Sequence, residues 1–236
     1  MKIGLALSGG GIKGLAHIGV LKALEENQIK PTHLAGTSAG AIVAALYAAG
    51  LPWQEILQFF NSVNLFSLQR YAWKKPGLVA SHKFYQDFKA ILPEDNFDTL
   101  KIPLFITTTN ILDGSLKVFD KGPLIMPILA SAAFPGVFTP VKIDGNYYID
   151  GGTLNNFPVD LIAPVTDKTI GVFLNSFEKI EISELKTSFT VLERAYKIIS
   201  NTGSLKKFNQ CDILICPKDI NKYGTFTTRD KDAIFN

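Results

Sequence analysis

The order of apolar segments along the chain predicts an α/β fold with three layers, in which helices cover both faces of a mostly parallel central sheet. Near the N-terminus a strand, a helix, a short strand and a second helix follow one another. This order is typical of parallel strands joined by crossover helices. Further strand segments return after residue 103. No linker-like stretch divides the 236 residues, so we predict a single domain over residues 1–236.

The first two strand–helix pairs are the most clearly marked elements. A strand over Lys2–Ser8 ends in three glycines, and a helix is predicted over residues 12–27 from apolar residues at near-helical spacing. A short strand at His33–Thr37 leads into a second helix, Ala39–Ala49. We expect Gly50 to end that helix, because glycine readily adopts the conformation found after a helix C-terminus.

Residues 51–100 have a different composition, which predicts a helical, aromatic-rich insertion within the domain. Aromatic side chains beside lysines suit a membrane interface or an acyl channel. The competing interpretation is a capping subdomain whose aromatic side chains are simply core. Peripheral membrane contact through residues 53–75 is therefore a hypothesis, carried by Trp53, Phe59, Phe60, Leu65, Phe66, Leu68, Tyr71, Trp73, Lys74 and Lys75.

The remainder of the chain alternates strands and helices. Two hairpins are predicted at Asp113-Gly114 and Asp144-Gly145, because Asp-Gly favours tight hairpin turns. The other predicted elements are a helix within 123–136, a buried strand at 168–175, a long helix over 183–208 and a strand at 212–217.

Composition excludes several classes of protein. Apolar residues make up 47% of the chain, charged residues 19%, and the net charge is +3, so disorder and nucleic-acid binding are both disfavoured. The two cysteines, Cys211 and Cys216, rule out a disulfide scaffold, and we interpret them as buried thiols in a reducing compartment. The longest weakly polar stretch is short for a membrane span. We expect a soluble, cytoplasmic protein.

A first glycine motif, Gly9-x-Gly11-x-x-Gly14, follows the first strand and opens a helix. Alone it matches the dinucleotide-binding fingerprint. That fingerprint needs an acidic residue near the end of the second strand to hold a ribose, and the sequence offers none there. A nucleotide-binding module is therefore a weaker alternative.

A second motif, Gly36-Thr37-Ser38-Ala39-Gly40, lies at a predicted strand-to-helix junction. In this context G-x-S-x-G forms a sharp turn that exposes the serine, while the helix N-terminus directs N–H groups at a developing oxyanion. We therefore predict that Ser38 is a nucleophile. The competing interpretation is a helix start with Ser38 as an ordinary cap.

The order of residues along the chain argues against a histidine as the base that would activate Ser38. The three histidines are His17, His33 and His82, none of which follows Asp150, so the chain order of an α/β-hydrolase triad is missing. We interpret them as ordinary surface or helix residues. Asp150 is the best-placed carboxylate, since it ends a predicted strand before Gly151-Gly152. The alternative is a plain Asp-Gly-Gly turn.

Together the segments "GGGIKG", "GTSAG", "ASAAFPGVFTPV" and "DGG" resemble the patatin-like phospholipases, serine lipid acyl hydrolases with a fold related to but distinct from α/β-hydrolases. The resemblance runs from Lys2 to about Pro158. It implies Ser38 as nucleophile and Asp150 as general base. It implies an oxyanion hole from Gly9, Gly10, Gly11 and Ala39, supported by Lys13, Gly14, Gly36, Gly40, Gly151 and Gly152.

The leading functional hypothesis is thus a lipid acyl hydrolase of the phospholipase A type, acting on a lipid or ester through an acyl-enzyme. A general carboxylesterase or an acyltransferase would use the same dyad, and a catalytically silent lipid-binding protein is a further alternative. No metal and no cofactor is needed for this chemistry, and no cluster of residues has metal-ligand spacing.

Overall fold

One mixed sheet organises the molecule. The computed structural model describes residues 1–63, 81–175, 179–226 and 230–235, with the backbone alone for residues 81–83. In this part of the chain eight strands form one sheet. Seven of them follow the order β5-β6-β3-β2-β1-β7-β8, and β4 lies off this path and pairs with β3. The strands are β1 (Ile3–Leu7), β2 (His33–Gly36), β3 (Leu104–Asn110), β4 (Leu116–Phe119), β5 (Val141–Ile143), β6 (Asn146–Asp150), β7 (Lys168–Val172) and β8 (Ile213–Ile215).

The sheet is parallel at its centre and antiparallel at one end. Strands β3, β2, β1, β7 and β8 pair in parallel, whereas β4, β5 and β6 join by antiparallel pairing. The α/β fold with a mostly parallel sheet is confirmed, as are both hairpins. Strand β1 is central and buried on both faces, which explains its unbroken apolar sequence. Leu5 and Leu7 contribute to one core cluster and Ala6 to the other.

The two faces of the sheet are covered differently. Helices pack on the larger core, where α2 (Ala39–Ala48) contacts β1 and β2 and α1 (Leu15–Glu26) packs beside α2. The smaller core, around Phe157 and Phe173, lies under short 3-10 helices at Pro158–Leu161 and Ala163–Val165. The remaining helices are α3 (Trp53–Ser62), α4 (Ser81–Ile91), α5 (Ile125–Ser131), α6 (Ser188–Leu205) and α7 (Lys231–Phe235).

Two predicted helices begin later than the periodicity indicated. The segment Gly11–Gly14 is a 3-10 helix, and α1 starts only at Leu15, because Gly11 has φ +61°, outside the helical range. Helix α6 starts at Ser188 after Thr187, whose side chain accepts a hydrogen bond from the N–H of Thr190.

Helix α6 has an unusual distribution of side chains. Its buried residues are polar, namely Ser200, Asn201 and Ser204. Its exposed residues include the large apolar side chains Val191, Leu192, Ile198, Ile199 and Leu205. A surface helix normally presents the opposite arrangement.

The described part of the aromatic insertion packs into the protein. Phe59 and Phe60 are buried in the main core, and Trp53 stacks on Phe235 with ring centroids 5.5 Å apart. The hypothesis of lipid contact also relied on residues 65–75, which lie outside the described residues.

Two further expectations can be compared with the structure. Cys211 is partly buried, but Cys216 is exposed, so the interpretation of both as buried thiols was wrong for Cys216. Across the described ranges, no helix combines the length and the apolar character that crossing a membrane requires.

The close approach of α2 to β1 depends on Gly40, and this makes a testable prediction. A β-carbon on Gly40 would collide with the backbone carbonyl of Leu7, which cannot move without distorting the sheet. We expect Gly40→Ala to lower the free energy of unfolding by about 2 kcal/mol or more, as overpacking does. The measurement is urea unfolding.

Gly203→Ala is the matched control for that substitution. Gly203 lies in α6, and nothing surrounds the position of its β-carbon. Alanine there should be neutral or stabilise by up to about 1 kcal/mol. Equal stability of the two variants would contradict the role assigned to Gly40.

Candidate active site

Ser38 lies at the tip of a strained turn between β2 and α2. Its backbone has φ 54° and ψ −124°, an uncommon conformation for a residue with a side chain. Such a conformation costs on the order of 1–3 kcal/mol, and surrounding structure must hold it. Gly36 helps, because a β-carbon there would come within 2.6 Å of the Ala41 Cα. The turn leaves Ser38 only 7% exposed, at the wall of a cleft.

Side chains from other elements fix this turn. The N–H of Ser38 donates to Ser131 Oγ at 2.8 Å, at the end of α5. The hydroxyl of Thr37 donates to the carbonyl of Asn155 at 2.9 Å and lies 2.6 Å from Thr107 Oγ1. Sequence reasoning missed Ser131, since nothing in the local sequence of α5 distinguishes this serine.

The glycine loop after β1 faces Ser38 across the cleft. The pairing of Leu7 with Gly36 puts the carboxyl ends of β1 and β2 side by side, so the two segments that follow them meet. Gly9, Gly10 and Gly11 line the same cleft as Ser38. Among the described residues, the N–H groups of Gly10, Gly11 and Ala39 have no hydrogen-bond acceptor. The N–H of Gly9 is engaged by the carbonyl of Asn156 at 3.2 Å, so Gly9 anchors the loop.

Close contacts explain why glycines occupy this loop. Gly11 has φ +61°, and a β-carbon on it would collide with the carbonyl of Thr225. A β-carbon on Gly9 would meet the side chain of Asn156, and one on Gly14 would lie 2.8 Å from Ala39 Cβ. Only small residues therefore allow the loop to approach the start of α2.

Two buried side chains, those of Lys13 and Asn175, hold the loop from behind. Lys13 Nζ donates to the carbonyl of Leu174 at 2.8 Å and to Asn175 Oδ1 at 3.2 Å, and Asn175 Nδ2 donates to the carbonyl of Gly9 at 2.6 Å. Burial, with a smaller contribution from Lys197, lowers the pKa of Lys13 to about 7. Lys13 thus supports the loop rather than facing Ser38.

His17 is a helix residue, as predicted, but its surroundings are unusual. This side chain is fully buried in α1, and its Nε2 lies 2.7 Å from the carbonyl of Ser8, at the base of the glycine loop. Burial lowers the pKa of His17 to about 4, so the ring is neutral at pH 7 and Nε2–H donates. His17 does not line the cleft. The side chain of His82 lies outside the described residues.

Asp150 ends β6 and lies beside Ser38. Its Oδ1 accepts the N–H of Gly152 at 2.7 Å, and the side chain is 2% exposed. Burial raises the pKa of the Asp150 carboxyl to about 6, although the Gly152 N–H and the neighbouring hydroxyls of Ser38 and Tyr196 lower it. Gly151 allows the turn, since a β-carbon there would collide with the carbonyl of Thr107.

Tyr196 of α6 completes the cleft, and sequence reasoning missed it. The aromatic side chains of Tyr196, Phe134, Phe138 and Phe226 line a narrow cleft of about 30 Å³ together with Ser38 and Asp150. The hydroxyl of Tyr196 lies beside Asp150 but falls short of a well-formed hydrogen bond. No local signal marks Tyr196, because its sequence separation from Asp150 hides their proximity.

Comparison with known proteins finds a family profile, sequence relatives and a solved structure that match the chain. The profile of the patatin-like phospholipase family matches residues 5–163. An uncharacterised NTE family protein of Mycobacterium tuberculosis is 33% identical over 86% of this chain. A lysophospholipase of Mycosarcoma maydis is 32% identical over 72% of this chain. The crystal structure of VipD from Legionella pneumophila covers 87% of this chain with a TM-score of 0.54 at 15% identity, which supports the fold alone.

The chain spans only part of these proteins. It covers 57% of the mycobacterial relative, 9% of the fungal relative and 55% of the VipD chain.

The raised pKa of Asp150 predicts a stability effect that is independent of any activity. The folded protein binds this proton more tightly than the unfolded chain, whose pKa is 3.8. Above about pH 6 the buried carboxylate is ionised and destabilises the fold, and below about pH 4 this penalty is absent. We expect Asp150→Asn to raise the free energy of unfolding at pH 8 by about 3 kcal/mol, with the gain vanishing near pH 4.

Asp212→Asn is the control, because Lys168 lowers the pKa of the Asp212 carboxyl. That variant should not be stabilised at pH 8. Denaturant unfolding at pH 8 and pH 4 measures both effects. A gain for Asp150→Asn that is the same at the two pH values would contradict the assignment.

Proposed function

The chain belongs to the patatin-like phospholipase family, and we propose that it is a serine lipid acyl hydrolase in which Ser38 and Asp150 act as a catalytic dyad. The observation that carries the proposal is the meeting of three features in one cleft. These are a strained serine at a helix N-terminus, a buried carboxyl beside it, and backbone N–H groups without acceptors.

In the proposed acylation step, Asp150 accepts the proton of the Ser38 hydroxyl while Oγ attacks the ester carbonyl. The tetrahedral intermediate collapses as the bond to the alcohol breaks, and the alcohol leaves with the proton from Asp150. A carboxylate with an ordinary pKa is a weak base for this task. Burial of Asp150 reduces that difficulty, since a pKa of about 6 makes the carboxylate more basic and still ionised at pH 7.

The negative charge on the acyl oxygen would be stabilised by the N–H groups of Gly10, Gly11 and Ala39. Within the described residues, these N–H groups near Ser38 donate to no acceptor. One such donor is worth roughly a hundred- to a thousand-fold in kcat. Helix α2 starts directly after Ser38, so its dipole adds a favourable field.

A lipid ester is the substrate class that the relatives support. One relative is a lysophospholipase and another, 30% identical over 77% of this chain, is the patatin-like phospholipase domain-containing protein 6 of Mus musculus. The apolar lining of Phe134, Phe138 and Phe226 suits an acyl chain. We therefore place a fatty-acyl ester of a phospholipid or lysophospholipid in this cleft.

Peripheral contact with lipid is best supported by α6. Its exposed face carries Val191, Leu192, Ile198 and Ile199, and Tyr196 of the same helix lines the cleft. An exposed apolar patch of this kind typically marks an interaction site. Exposed Lys186 and Lys206 flank the helix and would attract anionic headgroups.

Ser38→Ala should abolish ester hydrolysis without unfolding the protein. The expected loss in kcat is at least about a thousand-fold, because no covalent intermediate can form. A fluorophosphonate probe should label the parent protein at Ser38, as mapped by mass spectrometry, and leave the variant unlabelled. Ser131 serves as the comparison. It should stay unlabelled in the parent, so Ser131→Ala should not remove a labelled site. Near-normal hydrolysis of a p-nitrophenyl ester by Ser38→Ala would refute the proposal.

The lipid-facing role of α6 predicts that Leu192→Asp combined with Ile199→Asp weakens binding to anionic vesicles by at least about tenfold. Burial of one leucine is worth about 1.5–3 kcal/mol, which corresponds to that factor or more. Hydrolysis of a soluble ester should be unchanged, because neither residue lines the cleft.

Val165→Asp serves as control, because it also adds a charge at an exposed apolar position but lies in a different element. Vesicle co-sedimentation provides the measurement. Equal binding by the double variant and the control would remove α6 from the lipid contact.

A further inference from the structure

Polar atoms without partners cluster around Asp150. In the described part of the chain, five buried side-chain polar atoms lack a hydrogen-bond partner, and three belong to residues that follow Asp150 or face it: Thr153 Oγ1, Asn156 Nδ2 and Tyr196 Oη. Buried polar groups are nearly always hydrogen-bonded, so three exceptions in one place call for an explanation. The acylation step uses none of these atoms.

The position of Gly152 shows how closely these groups converge. A β-carbon on Gly152 would collide with the Tyr196 hydroxyl and would lie 2.8 Å from Asn156 Oδ1 and 3.0 Å from Asp150 Oδ1. The side chains of Asp150 in β6, Asn156 in the following loop and Tyr196 in α6 therefore converge beside Gly152. The hydroxyl of Thr153 neighbours that of Tyr196.

The polar side chains of the cleft suit a very small ligand, whereas its aromatic side chains suit the acyl chain. Asn156, Tyr196, Asp150 and Ser38 all line the cleft, whose volume is about 30 Å³. A buried water needs roughly 10–15 Å³ of such volume and two to four polar partners, so the cleft can hold one. Asn156 Nδ2 can donate, and the Tyr196 hydroxyl can donate or accept. Lys197 also lines the cleft, and its Nζ pairs with Glu193 Oε1 at 2.8 Å.

We propose that Asn156 and Tyr196 bind the water molecule that hydrolyses the acyl-enzyme, and that this site favours hydrolysis over transfer of the acyl group to an alcohol. The inference rests on the proposed function. It adds a binding site for the second substrate of the reaction, next to the base that activates it.

In the proposed deacylation step, this water is the nucleophile. The water oxygen attacks the acyl carbonyl carbon, and one water proton passes to the Asp150 carboxylate. The tetrahedral intermediate collapses with cleavage of the bond between that carbon and Ser38 Oγ. The proton on Asp150 passes to Ser38 Oγ, which regenerates the enzyme and releases the fatty acid.

Tyr196→Phe tests the proposal, because it removes only the hydroxyl and retains the ring that packs on Phe134 at 4.6 Å. Rapid mixing with a p-nitrophenyl ester separates acylation, seen as a burst of p-nitrophenolate, from steady-state deacylation. We expect acylation within about threefold of the parent and deacylation at least about tenfold slower, the cost of one lost hydrogen bond to the reacting water. With added methanol, the ratio of methyl ester to fatty acid should rise.

Asn156→Leu should show the same selective loss, and thermal unfolding verifies that both variants are folded. Tyr85→Phe is the matched control, since its hydroxyl donates to Asp95 at 2.9 Å outside the cleft and should affect neither phase. Equal slowing of both phases by Tyr196→Phe would mean that the hydroxyl serves Asp150 itself and would overturn the proposal, as would an unchanged deacylation rate. Absence of an acyl-enzyme in the parent would instead overturn the proposed function.

Discussion

The close packing of helix α2 onto the ends of β1 and β2 is the constraint on which the candidate site depends. Register places Leu7 beside Gly36, so the glycine loop and the Ser38 turn emerge at the same edge of the sheet. Gly36 and Gly40 remove the side chains that would separate helix from strand. The strained backbone of Ser38 persists because this packing, with the hydrogen bond that the Ser38 N–H donates to Ser131 Oγ, leaves the turn no relaxed alternative.

Burial of ionisable groups is the second organising feature. Asp150 and Lys13 both have pKa values moved towards neutrality, and for each the largest cause is loss of water. Burying these groups lowers the stability of the fold, yet the proposed role of Asp150 as a base relies on that burial, because it makes the carboxylate more basic. The site thus follows the general pattern in which function is retained at the expense of local stability.

Helix α6 links the site to the surface. Its polar face is turned inwards, where Asn201 Nδ2 donates to the carbonyl of Asn175 at 2.6 Å, and its apolar face is turned outwards. The same helix supplies Tyr196 to the cleft. A single inverted helix therefore connects the proposed lipid contact, the wall of the cleft and the environment of Asp150.

The sequence alone determined the fold class, the order of strands and helices, and the identity of Ser38, Asp150 and the glycine loop as candidates. It could do so because each signal is local: apolar periodicity, Asp-Gly turns, and small residues at fixed spacing around one serine. Boundaries such as the late start of α1 accompany the positive φ of Gly11, where the nearby carbonyl of Thr225 leaves no room for a side chain. The burial of His17, the hydrogen bond from the Ser38 N–H to Ser131 and the convergence of Asn156 and Tyr196 on the cleft were decided only by the tertiary structure. These residues come from elements far apart in the chain, and their pKa values and hydrogen bonds arise from neighbours that no sequence pattern names.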